Sequence, residues 1–368
     1  LDHAQILYNR KQAKKAVPVL AALLAAKPAD DLHAQALYLQ GWIDFGARSF
    51  DSAAAKFASL AGQFPKHALA GDARYQQALA LKEAGKNEQA VALLEGYLKD
   101  FPQGAHVQNA RQLIGASLAQ MGKGDEAVKR LSAMAADRSS VSEQVLYQLA
   151  WAQRRTDQKD AAAATYRRML TEYADGKMAT AARAEMGDLL LALDKHAEAA
   201  AVLEQCLAAK DVEPALALGA RYRLGACYAK LDQHDKAAAA FLAFAGASDD
   251  AEMVPSALYQ AAVCLARRNK FDEARKPLAT LLAKYPRHEL TPAAQLKLGE
   301  VLAETGNYEP SAEAYQAYLQ KFPKDKFVHL AQFGLGWSLE NRKQYDQARA
   351  WYQKVIAAHN GPTAARAQ

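Results

Sequence analysis

The sequence is poor in the residues that announce cross-links or reactive centres. It holds three cysteines in 368 residues, Cys206, Cys227 and Cys264, an odd number with no Cys-x-x-Cys pair, which excludes a disulfide framework and a zinc ribbon. Each sits in an apolar segment of helical appearance and reads as a small core residue; the redox compartment stays open. Twelve prolines and 20 glycines are too few for a fibrous or low-complexity chain. No stretch approaches the roughly 18 uninterrupted apolar residues of a membrane span. Neither sign of charge dominates: Lys+Arg 46 against Asp+Glu 40 gives +6, a mild excess over a large surface, so nucleic acid is not an expected partner. The nine histidines form no HExxH or metal-spaced pair, and GxSxG, the P-loop and GxGxxG are missing. The chain therefore reads as non-enzymatic, with no catalytic residue, cofactor or metal.

What the sequence has is length and self-similarity. At 368 residues it is two to three times the usual single domain, which means several domains or one extended array. A motif of small residue, alanine twelve later and large residue four beyond that settles the choice. Its first position is Ala4, Gly41, Ala78, Gly115, Ala150, Gly187, Gly225, Ala262, Gly299 and Gly336. The second is Ala16, Ala53, Ala90, Ala127, Ala162, Ala199, Ala237, Ala274, Ser311 and Ala348, and the third Leu20, Phe57, Leu94, Leu131, Tyr166, Leu203, Phe241, Leu278, Tyr315 and Tyr352. One unit reads as a helical hairpin. The first helix carries the small residue where a neighbour approaches closely, a turn with Gly, Asn or Asp follows, and the second helix sets its alanine and large residue on one face. Phe64-Pro65, Phe101-Pro102, Tyr285-Pro286 and Phe322-Pro323 mark helix ends, because proline biases its predecessor away from helix. A lone hairpin cannot bury its apolar face; stacked ones share a continuous core.

These spacings resemble the tetratricopeptide repeat, in a long form of about 37 residues rather than 34. The long form is similar to bacterial Tol–Pal-associated and outer-membrane-assembly lipoproteins. The resemblance implies an all-α, right-handed superhelical solenoid of about ten helix-turn-helix repeats in one array over 1–368. The repeats are expected at 1–33, 34–70, 71–107, 108–142, 143–179, 180–217, 218–254, 255–291, 292–328 and 329–362, with 363–368 starting another. At the terminal proline position the middle units carry Ser139, Ala174, Asp211 and Asp249, so the superhelix is expected to change pitch near 137–145 and 246–255, with a loop at Gly246–Asp250. The chain opens on Leu1-Asp2-His3, with no Met or leader, and closes on what reads as the start of a helix; both ends are expected to be internal to a longer protein.

In such a superhelix the first helices line the concave face. By helical position that face includes Tyr38, Trp42, Tyr75, Lys82, Tyr147, Trp151, Arg154, Arg155, Tyr222, Tyr259, Arg267, Arg268, Phe333 and Trp337. The recurring tyrosine reads as a packing residue. The tryptophans alternate with Leu79, Ala116, Asp188, Ala226, Val263 and Glu300 at equivalent positions. An aromatic that varies between repeats is the better binding candidate, because tryptophan and tyrosine bury large areas at low entropic cost. The expected partner-binding residues are Tyr38, Trp42, Tyr147, Trp151, Arg154, Arg155, Arg267, Arg268, Phe333 and Trp337. Arg154, Arg155, Arg223, Lys230, Arg267 and Arg268 would make the central groove basic and favour an acidic partner segment, whereas Glu300, Glu304 and Glu340 make the last repeats acidic. His67 and His288 fall in loops; His196 and His234 are position-equivalent packing residues. A chaperone-type carboxylate clamp is rejected, since its positions hold Tyr with Trp or Ala.

Three functions fit: a protein-binding scaffold, periplasmic or in the cell envelope of a bacterium; a repeat module of a larger cytoplasmic regulatory or catalytic protein; or a glycan-contacting module using the tryptophans. A lipidated secretory leader in the gene would favour the first, a catalytic domain the second, and Trp-dependent binding to peptidoglycan the third. The oligomeric state is open.

Overall fold

The turn inside each repeat shows how the sequence builds its hairpins. Seven residues after each small residue the chain enters the left-handed region, at Lys11, Arg48, Gly85, Gly122, Asp157, Asp194, Asp232, Asn269, Gly306 and Lys343, with φ from 56° to 78°. Glycine, Asn and Asp tolerate this conformation well. Around Arg48 the Ser49 N–H donates to the Asp44 carbonyl at 2.9 Å and the Arg48 N–H to the Phe45 carbonyl at 3.0 Å. Bonds of this kind satisfy the last carbonyls of the first helix and reverse the chain.

The computed structural model describes residues 1–137, 141–210, 212–358 and 361–368. Among them there is helix and no strand. Two compact units form, Leu1–Ala182 and Arg183–Gln368. The first contains α1 (Asp2–Asn9), α2 (Ala13–Ala25), α3 (Asp30–Gly46), α4 (Phe50–Gln63), α5 (Ala70–Glu83), α6 (Asn87–Asp100), α7 (Val107–Gln120), α8 (Gly124–Ala136), α9 (Glu143–Arg155), α10 (Lys159–Glu172) and the opening of α11 (Ala179–Ala192). The second continues α11 and adds α12 (His196–Leu207), α13 (Pro214–Lys230), α14 (His234–Ala247), α15 (Met253–Arg267), α16 (Phe271–Lys284), α17 (Thr291–Glu304), α18 (Tyr308–Lys321), α19 (Val328–Asn341), α20 (Tyr345–Ala358) and α21 (Pro362–Ala367). From α1 to α10, and again from α12 to α21, each helix packs on the next.

The sixteen-residue spacing of the motif is a physical contact. A Cβ added at Gly41 would sit 2.7 Å from the Phe57 ring, one at Gly299 2.7 Å from Tyr315, and one at Gly115 2.6 Å from Leu131. The large residue of the second helix thus rests on the bare backbone of the first, which brings the helices together and seals the core. Phe57, Leu94, Leu131 and Tyr166 are fully buried. The intervening alanines are buried too, and where Ser311 replaces one its hydroxyl donates to the Gly299 carbonyl at 2.8 Å and lies 2.9 Å from the Ser338 hydroxyl.

The aromatic-Pro sequences end helices as expected: α4, α6, α16 and α18 stop at Gln63, Asp100, Lys284 and Lys321, one residue before Phe64, Phe101, Tyr285 and Phe322. The loop expected at 246–250 is displaced, because Gly246 and Ala247 are the last residues of α14 and the connection is Ser248–Glu252. Asp250 stabilises it by accepting from the Glu252 and Met253 N–H groups. Ser139 and Asp211, and with Ser139 part of the first expected change of pitch, lie outside the described residues. The three cysteines are buried and form no disulfide with one another.

Candidate interaction surface

In the first unit the sequence alone explains one depression. The first-helix position occupied by Trp42 and Trp151 holds Ala116 in α7, and the position of Tyr38, Tyr75 and Tyr147 holds Gln112. Gln112 turns aside, its Nε2 donating to the Ser142 hydroxyl at 3.0 Å. Losing both aromatics leaves a notch of about 160 Å³ lined by Gly115, Ala116, Ala119 and Gln120 of α7, Leu131 of α8, and Tyr147, Gln148 and Trp151 of α9. Its walls are aromatic and its floor is small and apolar, the composition of a side-chain pocket.

Trp151 is half-buried. The Arg155 guanidinium lies 4.8 Å from its ring centroid, a cation–π contact that holds a positive charge at the rim. Tyr147 packs edge-on against buried Tyr166, centroids 5.9 Å apart. Arg154, half-buried in the last turn of α9, stands beside them. Four expected residues, Tyr147, Trp151, Arg154 and Arg155, therefore converge on one place.

The other expected residues are placed differently. Tyr38 and Trp42 are half-buried and pack on Phe57, at 5.7 and 6.1 Å between centroids, within the core that Ala53, Leu60 and Ala61 complete. Burial raises the Tyr38 hydroxyl above its ordinary range. In the second unit Tyr222 packs on Phe241 and Phe244 at 5.5 and 5.3 Å. Arg267 and Arg268 are exposed at the end of α15. Arg268 donates to Asp235 at 3.2 Å, and Lys270 stands 2.9 Å from the same carboxylate; the Lys270 hydrogen bond, then the charges of Lys270 and Arg268, hold Asp235 below the usual carboxylate range. Arg223 is paired with Asp188 at 2.9 Å. Part of the basic group in this unit is thus spent on internal ion pairs.

Phe333 packs against Val355, Ala364 and Ala367, its ring 4.9 Å from the Arg366 guanidinium, so α21 covers it. Trp337 meets Tyr308 edge-on at 5.7 Å. Nearby, Glu300 is bound by Lys297 at 2.7 Å and Glu340 accepts from the Tyr352 hydroxyl at 2.7 Å. Burial, with Glu300 and Glu304 close by, pushes the Tyr315 hydroxyl well up.

The expectation from sequence missed the lining contributed by α7. A table of equivalent positions already contains the signal, since Ala116 and Gln112 fall together in one repeat. It also missed a cavity of about 350 Å³ among Leu98 of α6, Arg111 and Ile114 of α7, and Arg130, Ala133 and Met134 of α8. Arg130 there is bound by Glu95 at 2.7 Å and Glu126 at 3.0 Å. No group of three His, Cys, Asp or Glu side chains is arranged to hold a metal among the described residues, and no helix among them is long and apolar enough to cross a membrane.

Comparison with known proteins agrees with this geometry. Residues 185–252, 259–326 and 327–365 match the tetratricopeptide repeat family; residues 30–200 match a family described as outer membrane lipoprotein, YfiO. No curated protein matches the chain. Solved structures that resemble it include the MamA protein (18% identity, 49% of this chain and 91% of that one, TM-score 0.42). Another is YrrB, described as a tetratricopeptide repeat protein with an unusual peptide-binding site (17%, 56% and 98%, 0.43). A third is a tetratricopeptide repeat protein from Parabacteroides merdae (14%, 73% and 98%, 0.44). With ten registered hairpins, a small residue meeting a large one inside them, and family matches along the second unit, the chain carries tetratricopeptide repeats over residues 185–365 and resembles that family in its remaining hairpins.

Proposed function

We propose that this protein is a non-enzymatic scaffold of a bacterial cell-envelope assembly, and that a partner segment docks with an apolar side chain in the α7–α9 notch. Arrays of this family are generally protein-interaction scaffolds, because stacked hairpins present many side chains at fixed spacing and the surface needs no ordering on binding. The observation that carries the reading is the notch itself, where Trp151 and Tyr147 wall a gap that Ala116 leaves open. Arg154 and Arg155 at its rim favour acidic residues flanking the inserted side chain, with affinity falling as salt rises. The envelope location is supported by the outer membrane lipoprotein match over residues 30–200. That the ten repeats act as one array over 1–368, on the boundaries given by the spacing, is part of the proposal.

The test is affinity purification of the full-length protein from its native cells. Wild type is compared with Trp151→Ala, with Ala116→Trp, which fills the notch, and with Arg154→Glu/Arg155→Glu. Loss of a centrally buried aromatic typically costs about tenfold or more in affinity. Recovery of the same partners at the same strength by all four proteins would sink the docking reading. Fractionation of the native cells tests the location independently.

A further inference from the structure

Outside the notch, the loop edge of the last repeats carries a second surface. The connections 285–290 and 322–327 are repeat-equivalent, and α16, α17, α18 and α19 pack in succession, so the two connections lie side by side on one edge of the second unit. Five exposed cations lie there: Lys284 at the end of α16 and Arg287 in the first connection, Lys321 at the end of α18 and Lys324 and Lys326 in the second. None of the five forms an ion pair among the described residues, although elsewhere the cations of the repeats are commonly bound by a neighbouring repeat, as Lys270 is by Asp235 and Arg342 by Glu309. Two acids share these connections. Glu289 is exposed; Asp325 is turned inward, accepting from the Tyr318 hydroxyl and, at 2.8 Å, from the Phe327 N–H.

Among these charges the same edge exposes Phe327 (38%) and Leu330 (37%), two of the few large apolar side chains left open in the molecule. The Lys326 ammonium lies 4.8 Å from the Phe327 ring centroid, so ring and charge are offered as one group. At the equivalent position Leu69 and His106 are half-buried, whereas Leu32 and Met253 are exposed; Phe327 is the aromatic among the exposed ones.

We infer that this edge is a peripheral docking surface for an anionic lipid bilayer. Four of the five cations are lysines, whose long stems lie along an apolar surface while the ammonium stays in water; the bidentate fork that carboxylates select belongs to arginine. An acidic protein segment is therefore the poorer fit. A bilayer asks only for unneutralised positive charge around side chains that enter the interface. The surface shares no residue with the notch, and its success or failure leaves the scaffold reading untouched.

The experiment is sedimentation of the full chain with vesicles of phosphatidylglycerol and phosphatidylcholine (3:7), against phosphatidylcholine alone. Binding is expected to the first and not the second, and to weaken between 50 and 500 mM salt, conditions chosen to span about a threefold change in screening length. Each juxtamembrane cation contributes about fivefold, so Lys321→Glu/Lys324→Glu/Lys326→Glu is expected to lower partitioning by about a hundredfold or more. Phe327→Ser/Leu330→Ser keeps every charge and is expected to lower it about tenfold. Lys99→Glu/Lys129→Glu, on exposed residues of the first unit, is expected to bind as wild type, and circular dichroism confirms equal helix content in all variants. Absence of phosphatidylglycerol-dependent binding overturns the inference. So does undiminished binding by the triple lysine variant. Binding that Phe327→Ser/Leu330→Ser leaves unchanged and polyglutamate abolishes overturns it in favour of an acidic protein partner.

Discussion

Replacing Gly41 by alanine tests whether the sixteen-residue spacing is the contact that sets the hairpin. The new Cβ would lie 2.7, 2.8 and 2.9 Å from three ring carbons of Phe57, closer than carbon atoms approach without displacement. Phe57 has no room to yield, being fully buried with Tyr38 and Trp42 against it. Overpacking of this kind costs about 1–3 kcal/mol, while exchanging glycine for alanine inside a helix returns about 1 kcal/mol. The net effect of Gly41→Ala alone is thus a loss of about 0–2 kcal/mol, too small to be decisive. The decisive quantity is the coupling with Phe57→Leu. Alanine faces leucine at the same two positions in Ala4–Leu20, Ala78–Leu94 and Ala262–Leu278; glycine faces an aromatic in four repeats and leucine in two, Gly115–Leu131 and Gly187–Leu203, and Ala150–Tyr166 sets alanine against an aromatic. In a Phe57→Leu background Gly41→Ala should therefore be stabilising by about 1 kcal/mol, a coupling of about 1–3 kcal/mol. Long repeat arrays do not unfold in one step, so the measurement is native-state hydrogen exchange of amides in α3 and α4. If Gly41→Ala gives the same change in both backgrounds, within about 0.5 kcal/mol, the contact does not set the hairpin.

Other expectations follow from single sites. Arg48, in the left-handed turn at φ 60°, should become more comfortable as glycine, raising local stability by about 0.5–1 kcal/mol, whereas Gly122→Ala should cost about 1 kcal/mol; urea denaturation of the two variants compares them. Asp31 is held below the ordinary carboxylate value of 3.8, chiefly by its hydrogen bond with His67 at 3.0 Å. A lowered carboxyl stabilises the fold above its unfolded value and loses that contribution as pH falls through its folded one. The difference in Tm between wild type and Asp31→Asn should accordingly be present at pH 6 and shrink from about pH 4 downward; a difference that grows on acidification refutes it. Ser311→Ala should cost no more than about 1 kcal/mol, since alanine fills that position in the other nine repeats and Ser338 keeps its bond to the Gly334 carbonyl, a result readable in a thermal melt. Burial pushes the Cys227 thiol up to about 11 and raises Cys206 and Cys264, so none of the three should be alkylated at pH 8 until the protein is unfolded; mass spectrometry with iodoacetamide decides this.

The hairpins were legible because their contacts are written at fixed distances along the chain. Small residue, alanine and large residue are three points of one packing unit, and repetition lifted them above an alanine-rich background. The aromatic-Pro ends were legible for a stereochemical reason. The edges of α14 were not: Gly246 is an exposed helical residue with open space around it, and composition alone favoured a loop there. At the candidate site, side chains were legible and spaces were not. Trp151 and Tyr147 are visible in any list of aromatics, but the notch is made by Ala116, whose significance lies in the bulk it lacks relative to its neighbours. Phe333 shows the converse. Its helical position matches Tyr147, yet α21 lies over it, and a residue thirty positions away cannot be weighed from local pattern.

The left-handed turn residue recurs in all ten repeats and is exposed in every one, while its identity ranges over Gly, Asp, Asn, Lys and Arg. The geometry needed there is supplied by backbone bonds to the preceding helix, so the side chain is free of any duty to the core. The protein therefore carries ten regularly recurring surface positions, seven of them already non-glycine, where exchange of one side chain for another can alter charge and shape without disturbing the stacking. Such a chain can change what it recognises in small steps while its architecture stands still, and the same ten positions are where short tags or foreign loops should be accepted with least penalty.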